Sequence, residues 1–165
     1  MATHEHMPIS ELLTKYPRRR CAILPALHAA QAKHRHLSDE AIAEVAEQLE
    51  LTTTEVTAVA SFYHMLHLEP VGQYVIDVCT SMPCGLLGGE ELVEHLQGKL
   101  GIELGETTPD GKFTLRECEC LGACDGGPVV HINDREHRDL TPERLDAILK
   151  ELGHSGGEGT GEANG

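Results

Sequence analysis

Four cysteines in two short clusters are the residues of this chain whose types and spacing could do chemistry. Cys79 and Cys84 bound C-T-S-M-P-C, and Cys120 and Cys124 bound C-L-G-A-C inside the run E-C-E-C-L-G-A-C-D-G-G-P from Glu117 to Pro128. Three readings compete for them. Free cysteine is among the most buried residue types, so plain packing is one. Structural zinc held by four thiolates is the second. The third is a 2Fe-2S cluster, with two thiolates on each iron. Loop-forming neighbours (Pro83, Gly85, Gly122, Gly126, Gly127) count against packing. They favour the cluster over zinc, because cluster sulfides want backbone N–H donors that glycine-rich turns offer. Spacing alone leaves zinc open, as the metal of an interaction module docking through its helices. A dithiol exchanger would need C-x-x-C, which is absent. A Cys–His nucleophile built on Cys84 or Cys124 would leave three thiols without a role.

The remaining thiols read as packing: Cys118 in the core beneath the second loop, Cys21 on a helix. Glu117, Glu119 and Asp125 flank the second loop, and carboxylates held near a cluster would lower its reduction potential. Histidines are scattered and form no H-E-x-x-H; His131 is of interest only because it follows the second cysteine loop by one short strand. No G-x-G-x-x-G follows a strand, so no nucleotide site is expected in this chain.

The elements that must position the thiols fall into two parts. From Ile9 to about Leu68, apolar residues recur at spacings of three and four, which predicts a helical bundle. Ile23, Leu24, Leu27 and Ala30 mark one stripe. Ser38 caps a helix with Ile42, Val45, Ala46 and Leu49 inside. Thr52 and Glu55 form a capping box for another, with Val56, Val59, Ala60 and Tyr63 inward. Pro70-Val71-Gly72 breaks the period, and Tyr74 to Val78 turns to strand composition. The expected division is a helical domain over 1–71, an α/β domain over 72–152, and a disordered glycine-rich tail over 153–165.

The second part reads as strand, cysteine loop, helix (Leu92, Val93, Leu96 and Leu100 inward), strand (Lys112 to Cys118), cysteine loop, hairpin, helix. The hairpin is Val129 to Ile132 and Glu136 to Asp139 about Asn133-Asp134. The last helix carries Thr141 as cap and Pro142 at its first position, with Leu140 stapled onto Leu145. The fold class is therefore α/β, helices over a four-stranded mixed sheet, with both cysteine loops leaving the carboxyl ends of neighbouring parallel strands.

Composition narrows the partners. With 13 basic against 27 acidic residues, the net charge of −14 repels nucleic acid and anionic lipid alike. No apolar run approaches the ~18 residues that span a bilayer, so no direct membrane insertion is expected. The start of the chain does not read as a secretory leader, which predicts a cytoplasmic setting with reduced thiols.

Set in order, V-C-T-S-M-P-C (Val78 to Cys84), E-L-G-E-T-T-P-D-G-K-F-T-L (Glu103 to Leu115), E-C-L-G-A-C (Glu119 to Cys124), G-P-V-V-H-I-N-D and D-L-T-P-E-R-L resemble one known family. A-I-L-P-A-L-H-A-A-Q at Ala22 to Gln31 and V-A-S-F-Y at Val59 to Tyr63 agree with it. The chain is similar over about residues 10 to 152 to the thioredoxin-like 2Fe-2S subunit (the E-type, or 24 kDa-type) of bacterial respiratory complex I, NADH:quinone oxidoreductase. The resemblance implies one 2Fe-2S cluster on Cys79, Cys84, Cys120 and Cys124. It also implies an electron relay without its own substrate site, in which FMN and NADH belong to a partner subunit among further complex I subunits, peripheral to the inner membrane. NAD-linked hydrogenases and formate dehydrogenases carry similar subunits. The basic run Arg18 to Arg20 is a candidate contact with the partner. The family often has alanine where this chain has Gly127, before Pro128.

Overall fold

Side-chain caps set where several helices begin. Ser38 accepts a hydrogen bond from the Ala41 amide at 3.3 Å and starts α3 (Asp39–Leu49). Thr52 and Glu55 bond reciprocally to each other's backbone amide and start α4 (Thr53–Ala60). Each such bond satisfies an amide that the helix itself leaves without an acceptor. Before them come α1 (Ile9–Lys15), a 3-10 turn (Arg19–Ala22) and α2 (Ile23–His34). Pro25 is tolerated because it is the third residue of α2, where its missing amide costs no intrahelical bond. α2 and α3 both stop at a left-handed residue, Arg35 and Glu50.

Residues 7–133 and 135–153 are described by this computed structural model; the tail beyond Gly153, His4, His6 and Asp134 lie outside them. Two compact units divide the chain between Val71 and Gly72.

In the first unit Leu12, Leu27, Val45, Leu49 and Val56 are fully buried together. Truncating such a leucine to alanine costs about 2–5 kcal/mol. Helix was expected on to Leu68, but α4 ends at Ala60. The Gln31 side chain holds the following segment instead: its amide donates to the Met65 carbonyl at 2.9 Å, and its oxygen accepts from the His67 amide at 2.6 Å.

The second unit is built on β1 (Tyr74–Cys79), β2 (Phe113–Cys118), β3 (Val130–Ile132) and β4 (Arg135–His137), in sheet order β2-β1-β3-β4. β1 and β2 run parallel, while β1 with β3 and β3 with β4 run antiparallel. The second hairpin strand begins and ends earlier than the sequence suggested, because Asp139 takes a left-handed conformation and turns the chain. Period-two alternation sends Ile76, Val78, Phe113, Leu115, Val130 and Ile132 to one face. They pack there with Leu92, Val93, Leu96 and Leu100 of α6 (Gly89–Leu100) and Leu145 and Leu149 of α7 (Pro142–Glu151). The cap by Thr141 and the burial of Leu140 and Leu145 agree with the sequence reading. A short helix that the sequence reading missed, α5 (Met82–Leu86), fills the first cysteine loop.

Across the sheet, register aligns Arg116, Asp77, His131 and Glu136 in one row over all four strands. Arg116 grips Asp77 through Nε at 2.8 Å and a terminal nitrogen at 2.9 Å. This bidentate pair ties the two strands that lead into the cysteine loops.

Candidate metal centre

Cys79 is the last residue of β1, and its amide donates to the Val129 carbonyl at 3.0 Å, so the thiol sits on a fixed strand end. Cys84 lies in the turn of α5. Both are buried, each about 1% exposed. Beyond the end of β2, the second loop carries Cys120 and, on a 3-10 turn (Cys124–Gly126), Cys124; both are exposed. One pair of sulfurs is enclosed and the other open to solvent.

Within the open pair the two Sγ atoms stand 3.5 Å apart, and the Gly122 amide donates to Cys120 Sγ at 3.4 Å. Gly122 can do so because it holds the left-handed φ of 83°. In the enclosed pair, burial pushes the Cys84 thiol up and the Cys79 thiol hydrogen-bonded beside it adds to the shift, against a smaller opposing contribution from the Val129 backbone. Cys124 is raised chiefly by its hydrogen bond to Cys120. Cys79 adds a smaller contribution in the same direction. Among the described residues, no three His, Cys, Asp or Glu side chains are gathered as ligands of a single ion; the sulfurs come as two pairs.

Close backbone approach holds the first pair in place. A Cβ on Gly89 would lie 2.6 Å from the Cys79 carbonyl oxygen and 2.9 Å from that of Cys84, so only glycine fits without moving backbone. At Gly127 the crowding is milder: a Cβ would meet Leu87 Cδ1 at 3.0 Å and Cys84 Sγ at 3.4 Å. The Leu87 methyl is the end of a side chain that can turn away. The two loops are joined by Ser81, whose hydroxyl donates to Glu119 Oε2 at 3.0 Å.

Cys118 pairs with Cys79 in the β1–β2 register but belongs to neither sulfur pair. It is half-buried rather than sunk in the core, and its thiol is pushed up to about 12 by burial and then by the Asp77 carboxylate. Such a thiol stays protonated at neutral pH, unlike an activated nucleophile. Cys21 is exposed in the 3-10 turn, which corrects its reading as helix packing: the turn directs it outward while Ala22 goes inside. Arg19 and Arg20 of the basic run pair with Glu50 and Glu55. His131 stands 3.7 Å from Glu136.

The carboxylates near the second loop differ in their surroundings. Asp125 is exposed and pairs with Arg138 at 3.1 Å; the same guanidinium holds Glu136 below its usual range, and its stem covers Gly126. Neither Arg138 nor the Asp77–Arg116 pair was singled out from the sequence. A signal for the second existed: an acid inside the apolar run Tyr74 to Val78 and a base in the strand expected to be its parallel neighbour.

The donor set suits a cluster held by thiolates. Two protonated thiols side by side resist ionisation, whereas bound metal cations take both as thiolates and reverse that resistance. Two sulfur pairs, an amide aimed at a sulfur and backbone crowding at Gly89 all fit such a group.

Comparison with known proteins agrees with this geometry. A family model described as thioredoxin-like [2Fe-2S] ferredoxin matches residues 9–153. The chain is 45% identical over 142 residues to the E-type subunit 2 of NADH-quinone oxidoreductase from Rhizobium meliloti (strain 1021), covering 86% of this chain and 84% of the relative. To the E-type subunit of the Rickettsia felis NADH-quinone oxidoreductase it is 46% identical over 144 residues, covering 86% of each. Among solved structures, an NAD+-reducing [NiFe]-hydrogenase in the H2-reduced state superposes with a TM-score of 0.70 at 30% identity, over 79% of this chain but only 22% of that one.

Proposed function

This chain belongs to the thioredoxin-like [2Fe-2S] ferredoxin family, and from that premise we propose that it is the electron-transfer subunit of an NADH:quinone oxidoreductase. Cys79, Cys84, Cys120 and Cys124 would hold one 2Fe-2S cluster, two thiolates to each iron. When bound, the cluster supplies a one-electron acceptor and donor. The observation that carries this reading is the arrangement of the thiols as one enclosed and one open pair at the ends of two parallel strands.

What the chain's own residues do follows from their places. β1 and the Val129 carbonyl fix Cys79; Gly89 lets α6 close on the first loop; the Gly122 amide offers a hydrogen bond to sulfur. Enclosure of one pair keeps water from that side, and exposure of the other leaves a face for exchange. Hydride chemistry is assigned to a partner subunit carrying FMN and binding NADH, with which this chain trades single electrons. No helix among the described residues is long and apolar enough to cross a membrane, so attachment to the inner membrane is assigned to further subunits.

The named relatives favour complex I as the host, since their identity runs to 45–46% over most of both chains. The hydrogenase likeness supports a second reading, the corresponding segment of an NAD-linked hydrogenase. The test is reduction by NADH. Visible absorption of the purified holo chain should bleach on adding NADH only when the co-expressed flavoprotein subunit is present. Bleaching without that subunit, or none with it, contradicts the relay.

A further inference from the structure

Three large apolar side chains stand in solvent around the loop that carries Cys84 of the enclosed sulfur pair. Met82 is 79% exposed, Leu86 84% and Leu87 56%. Met82 and Leu86 are four apart in α5 and so share one helical face, while Cys84 between them is buried. Leu87 continues the patch to Gly127, where a Cβ would touch both Leu87 and the Cys84 sulfur. At the other end Ser81 links the patch to Glu119 of the second loop. Elsewhere among the described residues of this unit, the large exposed apolar side chain is Leu104, at 37%.

We propose that Met82, Leu86 and Leu87 are the seat on which the flavin-bearing, NADH-oxidising subunit docks, an inference that rests on the function proposed above. The α5 helix and its C-cap have no packing reason to turn three long apolar groups outward, and apolar area left open next to a redox site marks a contact surface. Charge selects the occupant. Glu117, Glu119 and Asp125 form an exposed acidic fringe on the neighbouring loop, and the chain as a whole carries −14. A second copy would set acidic fringe against acidic fringe, and an anionic membrane would be repelled. The partner face that fits is an apolar hollow edged with lysine and arginine. Apolar contact there seats the partner on the loop of Cys84, which Ser81 bonds to the loop of Cys120 and Cys124 through Glu119.

The experiment measures the dissociation constant between the holo chain and the co-expressed NADH-oxidising flavoprotein subunit, at low and high salt. Leu86→Glu and, separately, Met82→Glu should keep the visible absorption of the cluster yet bind at least about tenfold more weakly, whereas Leu104→Glu should bind as the unmodified chain does. Binding should also weaken as salt rises. Unchanged affinity in both patch variants overturns the docking seat while leaving the relay reading intact. Self-association of the unmodified chain that Leu86→Glu disperses also overturns it, by giving the patch to a second copy. No binding by the unmodified holo chain removes the relay reading, and the seat with it.

Discussion

Cys79 and Cys118 face each other across the β1–β2 ladder, yet only Cys79 joins a sulfur pair. Neighbouring register is thus not enough to make a ligand. Cys118→Ala should therefore retain full iron and sulfide content, while Cys79→Ser should lose most of both. Iron loss in Cys118→Ala comparable to that in Cys79→Ser would contradict the assignment.

Asp125 carries its charge beside a candidate ligand, partly offset by Arg138. Neutralising it in Asp125→Asn should raise the midpoint potential by roughly 10–40 mV, since exposed pairs are worth ~0.2–1 kcal/mol and 59 mV corresponds to ~1.4 kcal/mol for one electron. A redox titration followed in the visible range checks it. An unmoved potential would make the acidic fringe a solvated rim without electronic effect.

The Arg116–Asp77 pair is mostly buried, with side-chain exposures of 23% and 12%. Asp77→Asn keeps the shape but loses the carboxylate that the guanidinium grips at two points. The expected cost is about 2–4 kcal/mol in urea unfolding, because the loss leaves a desolvated cation poorly compensated. Asp77→Leu combined with Arg116→Met should recover much of it. A change under about 0.5 kcal/mol in Asp77→Asn, the size of an ordinary surface substitution, would assign the pair no structural weight.

α6 and α7 are joined through Asp146, which accepts from His95 at 2.8 Å and Lys99 at 2.8 Å. Burial pushes its carboxyl up, but the bonds from Lys99 and His95 together outweigh this and leave it below the ordinary value of 3.8. A depressed folded value means the link stabilises fully above the unfolded value of ~3.9 and is lost as pH falls through the lower, folded one. Tm should drop more between about pH 5 and 3 in the unmodified chain than in Asp146→Asn. Parallel pH profiles would show that Asp146 contributes nothing to the acid transition.

Gly89 and Gly127 separate two kinds of crowding. Gly89→Ala would push a methyl into two backbone carbonyls and should both destabilise the fold and lower iron occupancy. Gly127→Ala meets a movable leucine end and should leave both nearly unchanged. Equal effects in the two variants would contradict the cradle described for the first pair.

Much of the scaffold could be read from local chemistry. Thr52 with Glu55, Ser38, and Thr141 with Pro142 fix helix starts through bonds made within a few residues. The apolar, β-branched composition of Tyr74 to Val78 marks the first strand. What lay beyond such reading depended on distant partners. Helix α4 stops at Ala60 although the apolar period runs on, because Gln31, about thirty residues earlier, captures the following backbone. α5 was hidden inside a loop carrying Pro83 and Gly85, both poor helix formers. The placement of the cysteine loops at adjacent strand ends followed from the strand order, whereas the split into enclosed and open sulfur pairs depended on α5 and so was not legible.

Iron and acid-labile sulfide content of anaerobically purified chain tests the central assignment most directly. The account predicts two of each per chain with little zinc, as a 2Fe-2S cluster on four thiolates requires. One zinc per chain with no labile sulfide would contradict it.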